Sequence, residues 1–378
     1  MTWKIPLFKM YWDQKDIAAV SKVIRRGNYW TMGPEVEQLE TTIARFISRD
    51  YGISFNSGTS ALHAALLAYH VHQGDEVIVP SFTFIATANV VALTGATPVF
   101  ADIENESYAL DPEDVKERIT NKTKAIIPIH YGGCPCKHIT ALKEIAEDHH
   151  LTLIEDAAES LGARIHNTLV GTFSDTAMFS FCQNKVITAG EGGLLVTDSK
   201  STTEALHLLR SHGRVENTEG YFATTKDLDY IQTGYNYRMP SINAALVLSQ
   251  FKKFNTIIRM RREKAAYLSK GLARVKTIQT PSESPGEYNV YQLYTIRLPD
   301  KTTRDHLQEF LTKAGIMTKV YFEPIHLKTY YRTTYHYSRG DFPVTERMSE
   351  TLLTLPLYPT LTKKDMDYMI TMVEKGCR

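Results

Sequence analysis

From Gly74 to Ser199, short apolar runs alternate with stretches of helical periodicity. Glu76-Val77-Ile78-Val79-Pro80 is such a run, as are Pro98-Val99-Phe100-Ala101 and Ala125-Ile126-Ile127-Pro128-Ile129. Leu151-Thr152-Leu153-Ile154 and Gly193-Leu194-Leu195-Val196 complete the set. Each is brief, aliphatic or β-branched, and bounded by polar or turn-forming residues, which predicts buried strands. Residues 112–119 and 139–150 read as helices between them. This alternation predicts an α/β fold, with a mostly parallel sheet sandwiched by helices. Ligands of such sheets bind beyond the carboxyl ends of the strands, so the polar residues just after each run are the ones to inspect.

After Pro240 the pattern changes. Residues 241–271 predict one long or broken helix with Ser241 as its N-cap. Residues 281–286, rich in Pro, Ser and Glu, read as a loop. Strands over 291–298 and 317–321 and helices over 303–314 and 365–375 then predict a smaller α/β domain. The expected division is a large domain over 1–245 and a small one over 246–378, the N-terminal segment contributing to the latter. No internal repeat or low-complexity tract interrupts this.

Composition narrows the class. The chain has 378 residues, 43% of them hydrophobic, with a formal net charge of +1. That supports a sizeable core and gives no global field to attract nucleic acid or an anionic membrane. No apolar run approaches the ~20 residues that span a bilayer, and the first residues lack the pattern of a secretion signal. The cysteines Cys134, Cys136, Cys182 and Cys377 are too few for a disulfide framework, and Cys134-Pro-Cys136 has the wrong spacing for the usual zinc or redox pair. A cytoplasmic enzyme without a metal is the expectation.

Three segments could carry chemistry. Asn56-Ser57-Gly58-Thr59-Ser60 opens a helical pattern. Gly58 permits close backbone approach, while Thr59 and Ser60 offer hydroxyls and N–H groups at a helix start, which is an anion site or an ordinary cap. Glu155-Asp156 ends a strand, where an acid can pair with a protonated ring nitrogen or cap a turn. Ser180-Phe181-Cys182-Gln183-Asn184-Lys185 follows another apolar run and precedes the turn Gly190-Glu191-Gly192-Gly193. A lysine there can project into the crevice or lie in solvent. Taken together, a phosphate cradle, a carboxylate and a lysine are what pyridoxal 5′-phosphate (PLP) requires. No Walker loop and no Gly-x-Gly-x-x-Gly near a first strand supports a nucleotide instead.

The chain resembles the DegT/DnrJ/EryC1/StrS family of nucleotide-sugar aminotransferases, which are fold type I PLP enzymes. The likeness runs from Ile5-Pro6-Leu7 and Gly33-Pro34-Glu35-Val36 through Ser57-Gly58-Thr59-Ser60-Ala61-Leu62-His63. It continues through Pro80-Ser81-Phe82-Thr83-Phe84-Ile85-Ala86-Thr87, Glu155-Asp156-Ala157-Ala158 and Gly190-Glu191-Gly192-Gly193. It ends with Gly234-Tyr235-Asn236-Tyr237-Arg238-Met239 and Leu355-Pro356-Leu357-Tyr358-Pro359.

The resemblance implies a role for each matching residue. Lys185 is implied as the Schiff-base lysine and proton shuttle, and Asp156 as the partner of the pyridine nitrogen. Gly58, Thr59, Ser60 and Ser180 are implied around the phosphate, and Phe84 as a ring stacked on the cofactor. Glu159 would lie near the phenolic oxygen, where an ionised carboxylate repels unless it points elsewhere. Asn236 is implied to reach a neighbouring subunit's phosphate, hence a homodimer with shared sites. Cys182 and Gln292 stand where His is frequent, which leaves the substrate contacts open.

The activity implied is transfer of an amino group from L-glutamate, yielding 2-oxoglutarate, to a nucleotide-linked keto-sugar, with pyridoxamine phosphate between the two halves. A 4-keto-6-deoxy sugar aminated at C4 is the first expectation and a C3 ketone the second, in deoxyamino-sugar biosynthesis such as that of lipopolysaccharide O-antigen. Asn28, Tyr29, Trp30 and residues 321–326 could line the sugar's site or pack between domains. Arg25, Arg26, Arg214 and Arg238 are candidates for its diphosphate or the donor carboxylate. Dehydratase relatives replace the lysine with His, and Lys185 points away from them. A non-catalytic sensor on the same scaffold would not need the cofactor set.

Overall fold

The apolar runs between residues 51 and 197 form one seven-stranded sheet in the computed structural model, which describes residues 3–215 and 228–378. In chain order the first strands are β1 (Tyr51–Phe55), β2 (Glu76–Pro80), β3 (Thr97–Ala101), β4 (Thr123–Ile126) and β5 (Thr152–Asp156). The short β6 (Arg164–Ile165) and β7 (Thr168–Leu169) lie in a separate ribbon, and β8 (Thr176–Ser180) and β9 (Gly193–Thr197) complete the main sheet. Its spatial order is β1-β9-β8-β5-β4-β2-β3. Only β9 runs against its neighbours, so the other strands all present their carboxyl ends at one edge. β9 starts at that same edge, with Gly193 opposite both Phe55 and Ser180.

The sheet is covered on both faces, which is why its strands read as continuous apolar runs. Successive residues serve opposite faces. Leu194 and Val196 join Ala177 and Phe179 in one core, against α2 (Pro34–Ile47) and, after residue 240, α8 (Ser241–Phe251). Leu195 joins Met178 in the other, against α3 (Gly58–Ala68) and α4 (Ala86–Leu93). The remaining helices before residue 240 are α1 (Gln14–Arg26), α5 (Pro112–Glu117), α6 (Ile139–Asp148) and α7 (Lys200–Arg210).

Beyond α8 come α9 (Phe254–Leu272), β10 (Glu287–Tyr288), β11 (Tyr294–Arg297) and α10 (Lys301–Lys313). Then follow α11 (Thr329–Tyr335), α12 (Pro343–Thr351), β12 (Leu352–Leu355) and α13 (Lys363–Gly376). Leu268, Ile296, Leu307, Leu353 and Val373 form a separate core here, and Ile5 from the start of the chain packs into it. The path is not confined to that core. Ile325, Tyr331 and Phe342 pack with Phe100 in the sheet's core, and Asp102 accepts the Val344 and Thr345 N–H groups at the start of α12 (2.9 and 2.8 Å).

The helical stretch over 241–271 takes the broken of the two expected forms: α8 ends at Phe251 and α9 begins at Phe254. Two other expectations need correction. Pro240, not Ser241, is the N-cap; the Ser241 hydroxyl is buried and instead accepts the Gly33 N–H (2.9 Å). The strand expected over 317–321 makes a single bridge, Lys319 with Thr354. β12 pairs along its length with β11, and Tyr321 and Phe322 turn to pack around Tyr131.

Candidate active site

The start of α3 presents backbone donors of the kind that suit an anion. Ser57 is its N-cap, in extended conformation, and its Oγ accepts the Ser60 N–H (3.0 Å). The N–H groups of Gly58 and Thr59 have no acceptor among the described residues, as expected for the first positions of a helix. Two glycines let this end sit against the strands. A Cβ at Gly193 would stand 2.4 Å from the Ser57 carbonyl oxygen, and one at Gly58 would stand 3.0 Å from Met178 Sδ and 3.3 Å from Ser180 Cβ. Ser180 therefore faces the helix start, its Oγ accepting the Cys182 N–H (3.3 Å). Thr59 is exposed, while Ser60 and Ser180 are half-buried. Asn236 is exposed close by, its carbonyl accepting from the Asn56 side chain (3.3 Å).

Asp156 closes β5 on the next strand over. It is buried, with Oδ2 accepting the Thr87 hydroxyl (2.8 Å) and Oδ1 the Ala158 N–H (3.2 Å). No cation lies within ion-pair distance of it among the described residues. Burial pushes its pKa up, against the pull of those hydrogen bonds and of the Lys185 charge.

The alternation of the strand turns Glu155 the other way, into a fully buried network. Its carboxylate accepts from His130 Nε2 (2.9 Å), Gly171 N–H (2.8 Å), Phe173 N–H (3.0 Å) and the Ser174 hydroxyl (2.8 Å). Burial alone would raise its pKa, but these donors leave it lowered. The Cys136 N–H donates to His130 Nδ1 (2.8 Å), so the ring proton sits on Nε2. His130 N–H also donates to the Asp156 carbonyl (3.2 Å). The network thus fixes the ends of β4 and β5 around Asp156.

Lys185 sits in the loop from β8 to β9. Phe181 N–H donates to the Gly192 carbonyl (2.9 Å) and Ala189 N–H to the Phe181 carbonyl (3.0 Å), while Gly190 turns the chain at φ 83°. The loop is thereby rigid at both ends. The Lys185 amine donates to Glu159 Oε1 (3.3 Å), with side chains 13% and 11% exposed. Glu159 Oε2 accepts the Gly132 N–H (2.9 Å), so this carboxylate is held by the loop after β4. Gln292 reaches the same region, donating to the Asn184 carbonyl (2.6 Å). Cys182 Sγ is 3.7 Å from Glu191 Oε1. Phe84, between β2 and α4, is 60% exposed, far more than a ring of this size in a core.

The structure sorts the other candidates. Arg26 pairs with Glu35 (2.6 Å) and bonds the Tyr29 carbonyl (2.8 Å), so it braces the loop before α2. Arg214 and Arg238 both donate to Ser211 Oγ. Tyr29 and Trp30 are exposed. His326 is fully buried and bonded to Ser81 Oγ (2.7 Å) and Glu346 (3.2 Å), so it braces the strand end that leads to Phe84. No group of three or more metal-ligating side chains occurs among the described residues. Thr87, Gly132 and His130 had no role in the sequence reading. Thr87 was legible only as the last residue of a matching motif, and the Gly132 contact is made by backbone, which no side-chain pattern reports.

The model of the DegT/DnrJ/EryC1/StrS aminotransferase family matches residues 11–374. The chain belongs to this family. An uncharacterized protein of Methanocaldococcus jannaschii is 36% identical over 376 residues, covering 98% of this chain and 97% of its own. DesV of S. venezuelae, solved with a ketimine intermediate, superposes with a TM-score of 0.89 at 31% identity, covering 100% and 99% of the two chains. Spr1654 of Streptococcus pneumoniae in its PLP form gives 0.90 at 25% identity, covering 100% and 98%.

This DegT/DnrJ/EryC1/StrS chain is a PLP-dependent aminotransferase. Its residues fit that cofactor. Among the described residues, the N–H groups at the start of α3 that lack an acceptor suit a phosphate, the buried carboxylate with no cation at ion-pair distance suits a protonated ring nitrogen, and the exposed aromatic face of Phe84 suits stacking.

Proposed function

We propose that the chain transfers the amino group of L-glutamate to a nucleotide-linked keto-sugar, through Lys185 and Asp156. The observation that carries this is the placement of Lys185. Its amine lies at the carboxyl edge of the sheet, beside Glu159, on the loop that joins the Ser180 strand to β9, with the Asp156 strand as the Ser180 strand's other neighbour. When bound, PLP supplies an electrophilic carbon for amines and a ring that accepts the electrons released at the donor's Cα.

The chain's own residues do the rest. The Lys185 amine holds the cofactor in the resting enzyme. Once displaced by the donor, it carries a proton from the donor Cα, a transfer typically worth ~10²–10⁴-fold. Asp156 keeps a proton on the ring nitrogen, and Thr87 fixes the carboxylate's orientation. Gly58, Thr59, Ser60 and Ser180 hold the phosphate, and Phe84 covers the ring. Glu159 keeps the amine in reach and, with Gly132 fixing its other oxygen, is turned toward Lys185 rather than free to swing. Asn236 completes the phosphate site of a partner copy in a homodimer.

A sugar as acceptor is supported by Spr1654, which is named as a sugar aminotransferase. Amination at C4 of a 4-keto-6-deoxy sugar is the reading we favour, with a C3 ketone as the second. Borohydride reduction of the PLP-loaded protein, followed by peptide mass mapping, tests the assignment. The pyridoxyl mass belongs on Lys185 and is lost in Lys185→Ala; an adduct that persists in that variant rules Lys185 out.

A further inference from the structure

A second cavity, of about 340 Å³, opens between the loop after β3, the loop after β4 and the segment leading into β11. Neither the α3 start nor Asp156, Glu159, Ser180 or Lys185 lines it. It shares only a wall with the active site: Gly132 lines the cavity while its N–H holds Glu159. The volume corresponds to on the order of ten waters at their liquid share of ~30 Å³ each, which is room for a monosaccharide-sized molecule.

Its charges are arranged in an unusual way. Alternation along β11 turns Thr295 and Arg297 toward the cavity and Tyr294 and Ile296 into the core behind. The Arg297 backbone is fixed on both sides, by Leu352 of β12 and by Gln279 (2.8 Å in each direction). This half-buried side chain makes neither ion pair nor hydrogen bond among the described residues, and its charge acts on the Tyr108 hydroxyl. Glu287 also lines the cavity without an ionic partner among the described residues; its Oε2 accepts the Ser284 N–H (2.8 Å) and lies 4.0 Å from Cys134 Sγ. The nearby Lys137 ammonium pairs with Glu106 and acts on Glu287 only from beyond ion-pair distance. The hydroxyl-bearing Tyr108, Thr280 and Ser282 line the same cavity.

A guanidinium and a carboxylate in one cavity, neither with an ion-pair partner among the described residues, call for a ligand that carries both signs. We propose that this cavity binds a small hydroxylated zwitterion, an amino-sugar phosphate, with its phosphate on Arg297, its ammonium on Glu287 and its hydroxyls on Tyr108, Thr280 and Ser282. The chemical class is read from the lining alone. That such a ligand resembles the aminated product of the neighbouring site rests on the function proposed above.

Calorimetric titration of the borohydride-reduced holoenzyme with glucosamine 6-phosphate tests this. In that form the phosphate cradle is filled and no aldehyde is left to capture the amine. Mass measurement of the adduct checks the cofactor assignment first, so the two readings fail separately. Saturable binding is expected. Glucose 6-phosphate, which lacks the ammonium, should bind about tenfold or more weakly, as should glucosamine 6-phosphate to Arg297→Gln, since each loses a charge-assisted bond. Glu287→Gln should level the two sugars. No saturable heat at millimolar ligand, unchanged affinity in Arg297→Gln, or equal binding of the two sugars by the wild-type protein overturns the proposal. Both variants should retain the wild-type melting temperature and glutamate-dependent bleaching, which separates lost binding from lost folding.

Discussion

Asp156 is a buried carboxylate with no cation at ion-pair distance among the described residues, and that makes a prediction about stability as well as catalysis. Burial raises its pKa in the folded chain, so the folded state binds its proton more tightly than the unfolded state does. Stability then falls as pH rises from the unfolded carboxylate value, about 3.9, through the folded one. At neutral pH the ionised side chain costs stability in the cofactor-free protein. Asp156→Asn should therefore raise the melting temperature of cofactor-free protein at pH 7, and the gain should vanish as pH falls below the unfolded value. The same change should lower kcat on the order of 10²–10³-fold, the usual loss when a preorganised electrostatic partner is removed. Paired melting curves and turnover assays check this; a variant that melts lower at pH 7 and keeps its activity would contradict it. Glu155, one residue away, carries no such cost because four donors meet its carboxylate.

The catalytic edge depends on how closely α3 approaches the strands. Gly193 is the clearest constraint, because its Cβ position falls 2.4 Å from the Ser57 carbonyl and 2.7 Å from the Gly58 nitrogen. Both are backbone atoms, so neither can rotate away. Gly193→Ala should push the helix start off β9 and weaken PLP binding at least about tenfold, the loss expected for one charge-assisted hydrogen bond to phosphate. Fluorescence or absorbance titration with PLP measures it, and unchanged affinity would show that the cradle tolerates the shift. The sheet was legible because strands buried on both faces leave uninterrupted apolar runs, as Gly193-Leu194-Leu195-Val196 does. The C-terminal part was less legible. Residues 317–321 have strand composition, but among the described residues they bridge only Thr354, with one further backbone bond from Met317 to Ile5, and partner geometry is invisible in one segment. Ser241 has the chemistry of a cap, yet Gly33, distant in sequence, claims its hydroxyl. At the site, side-chain roles such as those of Lys185 and Asp156 could be proposed from motifs. The backbone donor at Gly132 could not.

At the scale of the whole molecule, the proposed homodimer makes Asn236 and Lys185 of different copies parts of one site. Asn236→Ala should weaken PLP binding about tenfold on its own. Mixed dimers of Asn236→Ala and Lys185→Ala chains should then regain one intact site at limiting PLP, which co-expression and turnover assays can detect. If Asn236 serves its own chain's cradle, mixing restores nothing. The most direct test of the account is the spectrum of the PLP-loaded enzyme through one full cycle. L-Glutamate should bleach the visible absorbance with release of one 2-oxoglutarate, and a nucleotide-linked 4-keto-6-deoxy sugar should restore it while gaining an amine. A spectrum unmoved by glutamate, or a deoxygenated sugar in place of an aminated one, would contradict it.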